Sequence, residues 1–541
     1  MGLPLLATAV ALALTGGTAV WTADSMRRVS LGEHPTAADL AARTVDLELA
    51  RGECESAQVC ISVSTTNATV ANVSVSMSEL RTADGRKFSG SVDFRRVGYL
   101  PRWRGGESHP LAPDERENWV AEPLLPLRPL FVAAGTTRVF WLTVRADRAA
   151  AAGLYVGKID VRSRAGRLAS LDLRVRVRAF ALPETFGLRT GYNVMDGFTK
   201  ATYPDDFKVR RRESWDIMLD HRLNPNDISR TTLPDLDELE YARSRGMNAF
   251  CVLHLVPPPT NSAKWVCQLP PDRIFNDDMR AYLDRTLPPY LAELRKRGLD
   301  RYAYLYGFDE WGKEYYSQML DFCREVREKY GLPVLTSAYM FRDVVFKRLD
   351  ESSPLATMAD WHCPPLECFR MDLADRYRAK GKKVWTYTCC YPHYPMMNGV
   401  SYEYPLIENR LLFWQVRRVR ADGLLYWLVN NWLTGVWLDE REDFFRDWNT
   451  ANRHKMAGDG IYLYPGRKHV LPGIRLANLR DGEEDYEWLQ MAEARAGREA
   501  VEDLIGRVVR AKTKFTRDPK TLREVRRALG DLIEPRDTCQ R

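Results

Sequence analysis

Short runs in which apolar and polar residues alternate dominate the chain as far as Leu182-Pro183, and from Gly187 onward the pattern changes. Val45–Leu49 and Val73–Met77 alternate residue by residue, and Thr137–Val144, Gly157–Val161 and Leu171–Val177 follow between Gly, Asp and Arg turns. A period of two places alternate side chains on opposite faces of a strand. Several such strands without a long helix predict an antiparallel β-sandwich over residues 24–183. Leu173–Arg178, apolar on one face and basic on the other, reads as an outer strand of it.

Beyond Gly187, short apolar runs alternate with helical stretches. The candidate strands are Leu188–Val194, Asn226–Ser229, Ala249–Leu255, Tyr302–Phe308, Val334–Ala338, Thr357–Trp361, Val384–Thr388 and Leu424–Val429. Helical periodicity fills Arg211–His221, Asp235–Arg245, Asp278–Arg297, Trp311–Lys329, Met371–Lys380 and Leu406–Ala421. Gly331 and Gly381 supply the stops expected after helices. Strand–helix alternation of this length fits a (β/α)8 TIM-type barrel over 184–457 better than an open sheet. A strand and turn at Asp459–Gly466 and charged amphipathic helix from Ile474 to Leu532 complete the chain. Residues 458–541 are therefore expected to form a C-terminal helical extension packed on the barrel, with Lys and Arg in solvent. The expected fold is multidomain: an N-terminal antiparallel β-sandwich, a (β/α)8 barrel and that extension.

At 541 residues the chain is long enough for two or three full cores, and 45% hydrophobic with 28% charged residues describes an ordinary soluble protein. The net charge of +7 is spread along the sequence, and no nucleic-acid motif accompanies the basic runs, so nucleic acid is not an expected partner. Gly2–Ala19 is apolar with small residues at Gly17 and Ala19, which predicts a signal peptide over 1–23 and a secreted or extracytoplasmic protein. No stretch reads as a transmembrane helix. Among ten cysteines, Cys54 and Cys60 share a strand face too far apart to pair, Cys389 and Cys390 are vicinal, and no zinc spacing occurs. Asn67 and Asn72 head glycosylation sequons.

One stretch carries candidate chemistry. Tyr302–Phe308 reads as an aromatic buried strand ending in two adjacent carboxylates, Asp309 and Glu310. A tandem pair at a strand end has two readings. Asp309 is a helix N-cap with Glu310 in the first turn, near the positive end of the helix dipole. Otherwise the two are a catalytic pair at the C-terminal mouth of the fourth barrel strand, where such enzymes keep their chemistry. Neighbours on a strand face opposite ways, so the second reading needs the strand to break, which Gly307 permits. Other strand ends carry His254, Trp361 and His362, Trp385, Tyr387 and Tyr391, and Trp427, Asn430 and Trp432. Each is a core residue or a sugar contact. Together, at strand C-termini, they point to a saccharide pocket, since Trp and Tyr combine flat apolar faces with hydrogen-bonding edges. No metal, cofactor or phosphate-cradling loop is called for.

Several segments together resemble glycoside hydrolase family 123 and the group sharing its catalytic domain. They are Tyr306–Glu310, Val384–Pro392, Tyr404–Gln415, Gly423–Trp432 and Pro472–Glu487, with Arg51–Gln58 fitting the leading sandwich. The resemblance implies a retaining, exo-acting β-N-acetylgalactosaminidase assisted by the substrate's own acetamido group. In that family the adjacent Asp and Glu carry the chemistry, which maps onto Asp309 as the acetamido partner and Glu310 as the acid/base. The partner implied is a glycan with a terminal β-linked N-acetylhexosamine. Two alternatives stand beside it: a non-catalytic glycan-binding protein on the same scaffold, and a glycosidase of different sugar specificity or of ordinary mechanism with its nucleophile at Asp196 or Asp360.

Overall fold

The computed structural model describes residues 17–66, 69–103, 118–255, 277–309, 316–337, 360–432, 436–448 and 456–534. The chain divides into two compact units, the first made of Met1–Pro183, Gly399–Trp414 and Thr434–Arg541, the second of Glu184–Asn398 and Gln415–Leu433.

Among the described residues the sandwich of the first unit holds ten strands: β1 Thr18–Asp24, β2 Thr44–Arg51, β3 Cys54–Val63, β4 Val70–Met77, β5 Gly90–Pro101, β6 Trp119–Leu125, β7 Leu130–Val132, β8 Thr137–Ala146, β9 Gly153–Ser163 and β10 Gly166–Ala181. They form two five-stranded sheets, ordered β1-β3-β8-β5-β6 and β2-β10-β9-β4-β7. Their facing side chains make one apolar core, with Val59, Ile61, Phe140 and Leu142 from one sheet against Leu47, Ile159, Leu171 and Val175 from the other. The sandwich is mostly antiparallel; β10 and β2 run parallel, a departure from the expected pattern.

Two expectations are corrected here. β1 pairs along its whole length with β3, Thr18 opposite Val63 and Asp24 opposite Ala57, and Trp21 is fully buried. Residues 18–23, expected in a leader, therefore belong to the sheet. The charges of the C-terminal segment were expected in solvent, yet the helix Ile474–Ala496 buries every residue from Ile474 to Leu489. Burying charge is tolerated only when each group finds a partner. Arg410 donates to Asp485 at 2.7 Å and to Glu55 at 3.0 Å, and Arg475 donates to Glu122 at 2.9 Å, all fully buried. Gly482 makes the close approach possible: a Cβ there would lie 2.5 Å from the Arg410 carbonyl oxygen. β3, buried on both faces, is covered on its second side by Leu406, Ile474 and Ala477 packing around Trp21, Cys60 and Trp141. A hairpin of β20 Leu463–Pro465 and β21 Val470–Pro472 precedes that helix.

Among the described residues, the strand pairs of the second unit are all parallel. Its strands are β11 Arg189–Asn193, β12 Pro225–Asn226, β13 Phe250–His254, β14 Ala303–Tyr306, β15 Val334–Thr336, β16 Trp361–His362, β17 Lys383–Val384, β18 Thr386–Thr388 and β19 Gly423–Tyr426. They form a four-stranded sheet β12-β11-β19-β18 and a five-stranded sheet β13-β14-β15-β16-β17. β17 and β18 are one strand interrupted at Trp385. No ladder joins β12 to β13; the Asn226 side chain spans that gap, accepting the Cys251 N–H at 3.0 Å. Helices separate the strands, among them Phe207–Asp220, Leu236–Ser244, Asp277–Lys296, Tyr316–Tyr330 and Met371–Ala379. Asp235 caps the second of these, its carboxylate accepting the N–H groups of Asp237 and Glu238. Among the described residues no helix is long and apolar enough to cross a membrane.

Candidate active site

The fourth strand of the second unit stops at Tyr306, and the chain turns at Phe308, whose φ is +60°. A bulky residue seldom adopts this left-handed conformation, so its surroundings must hold it. They do: the ring is buried and meets Phe322 edge-on at 6.1 Å, and Thr336 Oγ1 donates to its carbonyl at 3.3 Å. The strand break expected at Gly307 thus falls one residue later. Gly307 serves instead by its lack of a side chain, since a Cβ there would press on Leu255 at 3.1 Å.

The turn delivers Asp309 to a small polar cluster. The hydroxyls of Tyr306 and Ser337 both donate to Asp309 Oδ1 at 2.7 Å and lie 2.9 Å from each other. Burial, and then the charge of Asp309, hold the Tyr306 phenol far above its ordinary pKa, so it stays a donor. Burial and the same charge push up the thiol of Cys363. Among the described residues nothing bonds Asp309 Oδ2, and no backbone N–H reaches the carboxylate. The N–H groups that a helix cap at Asp309 would accept, those of residues 311 and 312, lie outside the described residues. Glu310 lies outside the described residues, as do the segments 256–276 and 338–359.

The structure sorts the remaining sequence candidates into two groups. His254 ends β13 half-buried, its ring 5.5 Å from that of Tyr306, which joins it to the Asp309 cluster. Burial lowers its pKa to about 4, so it is neutral. Tyr391, half-buried in the loop after β18, packs edge-on to His393 at 4.5 Å. Trp427 is half-buried immediately after β19.

The others are built into the fold. Trp385 is fully buried and stacks on Trp361 at 5.7 Å, in a cluster with Tyr304, Tyr387 and Leu425. Trp361 opens β16 instead of closing it, beneath the guanidinium of Arg189, which opens β11. His362 is buried against the ring of Tyr377, 4.7 Å away on the helix Met371–Ala379. Asn430 spends its amide on the backbone of Met195, accepting at 2.9 Å and donating at 3.0 Å, and donates also to Thr199 Oγ1. Trp432 is buried edge-on to Tyr203 at 5.8 Å. Of the rival nucleophiles, Asp196 is held by Arg211 at 2.7 Å, and Asp360 precedes its strand and pairs with Arg327.

Three polar residues near these strand ends escaped sequence reasoning. Ser337 follows β15, where a polar residue closing an apolar run was the available signal. Asp227 follows β12; burial raises its pKa to about 6, against the pull of Arg230 and with the charge of Asp196. Arg230 is buried too, its Nε without a hydrogen-bond partner among the described residues, and its carbonyl accepts the N–H of His254 at 2.9 Å. Among the described residues no group of three or more His, Cys, Asp or Glu could hold a metal ion.

Residues 264–492 match the family model described as Glycoside hydrolase 123, catalytic domain. The chain resembles glycoside hydrolase family 123. Its fold is that of a family 123 glycoside hydrolase from Clostridium perfringens, described for glycolipid glycan hydrolysis, with a TM-score of 0.66. That likeness spans 95% of this chain and 96% of the other at 13% identity, and shows the shared fold. A family 39 glycoside hydrolase from Bacteroides cellulosilyticus WH2 follows with a TM-score of 0.33 and 9% identity over 81% of each chain. No curated protein matches the sequence. The family 123 match supports a glycosidase and, with it, a glycan substrate.

Proposed function

We propose that the chain is a retaining, exo-acting β-N-acetylgalactosaminidase that uses the 2-acetamido group of its substrate as nucleophile. The observation that carries this reading is the state of Asp309: Oδ1 is held by two hydroxyls, and Oδ2 has no partner among the described residues. A carboxylate with one oxygen fixed by two hydroxyls is oriented to offer the other to the acetamido N–H. The two parallel sheets of the second unit are read as one (β/α)8 barrel, with β17 and β18 as its seventh strand and the Asn226 side chain bridging the second and third. Asp309 and His254 then sit at its C-terminal mouth, the face on which such barrels carry catalysis. The apolar run that begins the chain is the support for reading the protein as secreted or extracytoplasmic.

In the first step the acetamido oxygen attacks the anomeric carbon while Glu310 protonates the departing glycosidic oxygen. Asp309 orients the acetamido group and offsets the positive charge that develops as the oxazolinium forms. Glu310 then takes a proton from the water that opens the ring, and two inversions give net retention. The roles need one carboxyl protonated and its neighbour ionised. An ordinary retaining pair would instead place a second carboxylate about 5 Å from the acid. Asp196 and Asp360 are poorly suited to that task, because each is held by an arginine.

The test is hydrolysis of an aryl β-N-acetylgalactosaminide beside its gluco epimer and a plain β-galactoside. The proposal expects turnover of the first, little of the last, and near-abolition of natural glycoside turnover by Glu310→Gln, a loss of about 100- to 10,000-fold. Equal hydrolysis of the plain galactoside overturns substrate assistance. Binding without turnover of any of the three favours a glycan-binding protein.

A further inference from the structure

A cleft of the first unit lies against the sandwich, lined wholly by residues of that unit. It has a volume of about 800 Å³ and runs between the outer face of β2, β10 and β9 and the helix Pro519–Ile533. Pairing register builds its floor. Arg174 lies opposite Asp46 and Arg176 opposite Glu48 across the β10–β2 ladder, with Leu154 beside Arg176 on β9. Residues two apart on a strand share a face, so these side chains line one surface. On the helix, Lys520, Arg523 and Arg527 recur at intervals of three and four and therefore share its groove-facing side.

The charges do not balance. Six Lys and Arg line the cleft against four Asp and Glu, leaving two cations in excess. The carboxylates are already matched: Asp24 by Arg523 at 3.1 Å, Asp46 by Arg174 at 3.5 Å, Glu48 by Arg527 at 3.3 Å and Glu534 by Arg178 at 2.7 Å. Among the described residues Arg176 on the floor and Lys520 on the helix form no ion pair. Leu154, 44% exposed, adds an apolar wall next to Arg176.

We propose that this cleft binds an anionic oligosaccharide, one carrying carboxylate or sulfate groups, held between Arg176 and Lys520. Planar guanidinium groups match carboxylate and sulfate oxygens in pairs, while an ammonium adds a point charge. The volume is that of an ordinary small-ligand cleft, and an aliphatic wall suits the apolar face of a sugar ring. The anionic chemistry rests on the cleft alone; the choice of a saccharide rests on the glycosidase reading. Such a site would hold acidic glycan at the sandwich without taking part in hydrolysis.

Calorimetric titration of the full chain at low ionic strength tests the proposal. The probe is a sulfated, uronic-acid-containing tetrasaccharide, compared with a neutral tetrasaccharide, inorganic sulfate and an acidic peptide of equal charge. The double variant Arg176→Ala, Lys520→Ala changes two exposed side chains. It is expected to bind the sulfated tetrasaccharide at least about tenfold more weakly than the parent, with unchanged melting temperature and unchanged aryl-glycoside hydrolysis. Equal affinity of parent and variant, or no binding by the parent, overturns the site. Peptide binding as tight as the saccharide's assigns the cleft to an acidic protein partner and overturns the saccharide. Inorganic sulfate binding as tightly as the saccharide reduces the site to a bare anion site and overturns it equally. Because binding is read without turnover, failure of the glycosidase reading would show separately.

Discussion

Ser337 Oγ donates to Asp309 Oδ1 at 2.7 Å across the gap between two neighbouring strand ends. With Tyr306 it fixes which way the carboxylate faces. A hydrogen bond to a charged group is worth about 1.5–3 kcal/mol, so Ser337→Ala and Tyr306→Phe are each expected to lower kcat by about 10- to 100-fold. KM stays close to the parent value, because the missing hydroxyl orients Asp309 without touching substrate. Steady-state kinetics with an unchanged kcat would return both hydroxyls to a purely structural part.

Asp309→Asn separates the two readings of that residue. As acetamido partner, Asp309 acts mainly in the transition state, so the variant is expected to lose turnover strongly with little change in KM. Thiazoline analogues, which mimic the cyclised intermediate, are expected to inhibit the parent and bind the variant far less well. As a helix cap Asn equals Asp, and activity and thiazoline inhibition would both persist.

Trp385 and Trp427 make a contrasting pair. Trp385 is a fully buried plug between strands, and a Cβ on Gly423 would lie 2.3 Å from its ring. Trp385→Ala is therefore expected to cost about 3–5 kcal/mol of stability, read by denaturant unfolding. Trp427→Ala, at a half-buried position after β19, is expected to raise KM and leave the unfolding midpoint nearly unchanged.

Asp227 gives the second unit a pH-dependent stability. Burial raises its pKa from 3.8 to about 6, so the folded state keeps a proton that the unfolded state has already released between those values. That contribution is fully present below pH 3.8 and is lost as pH rises through about 6. Asp227→Asn removes the dependence. The unfolding free energy of the variant relative to the parent is expected to grow between pH 4 and pH 6, by on the order of 2–3 kcal/mol. Parallel curves would remove Asp227 as the titrating group.

Arg410 tests the buried charges of the first unit. Its guanidinium faces Glu55, Asp481 and Asp485 with no access to solvent. Arg410→Ala leaves those buried carboxylates with only Arg480, Arg523 and Arg526 to match them, at a cost of about 3–5 kcal/mol in chemical denaturation. A loss below 1 kcal/mol would mean that Arg523 and Arg526, which also approach Glu55, suffice alone.

Local periodicity was enough to read what depends on neighbours in sequence. Alternation in Val45–Leu49 and Leu171–Val177 is the strand period, and both segments form strands whose apolar sides meet in the sandwich core. The change of pattern near Pro183 coincides with the division of the chain at Glu184. The aromatic run ending in Asp309 announced a strand with a carboxylate at its end, because a charge is accommodated only where the buried run stops. Tertiary structure decided what depends on distant partners. The helix Ile474–Ala496 is charged enough to read as a solvated surface, and it is buried because Glu122 and Arg410 arrive from elsewhere in the chain to match Arg475 and Asp485. Trp361, Trp385, His362, Asn430 and Trp432 have the residue types of a sugar site, yet burial and ring packing place them in the fold, since a side chain's type does not tell which face of a strand end it takes. Ser337 stands 28 residues from Asp309 in the chain and within hydrogen-bond reach in space. That proximity comes from parallel pairing of β14 with β15, a contact between segments that carry no local mark of one another.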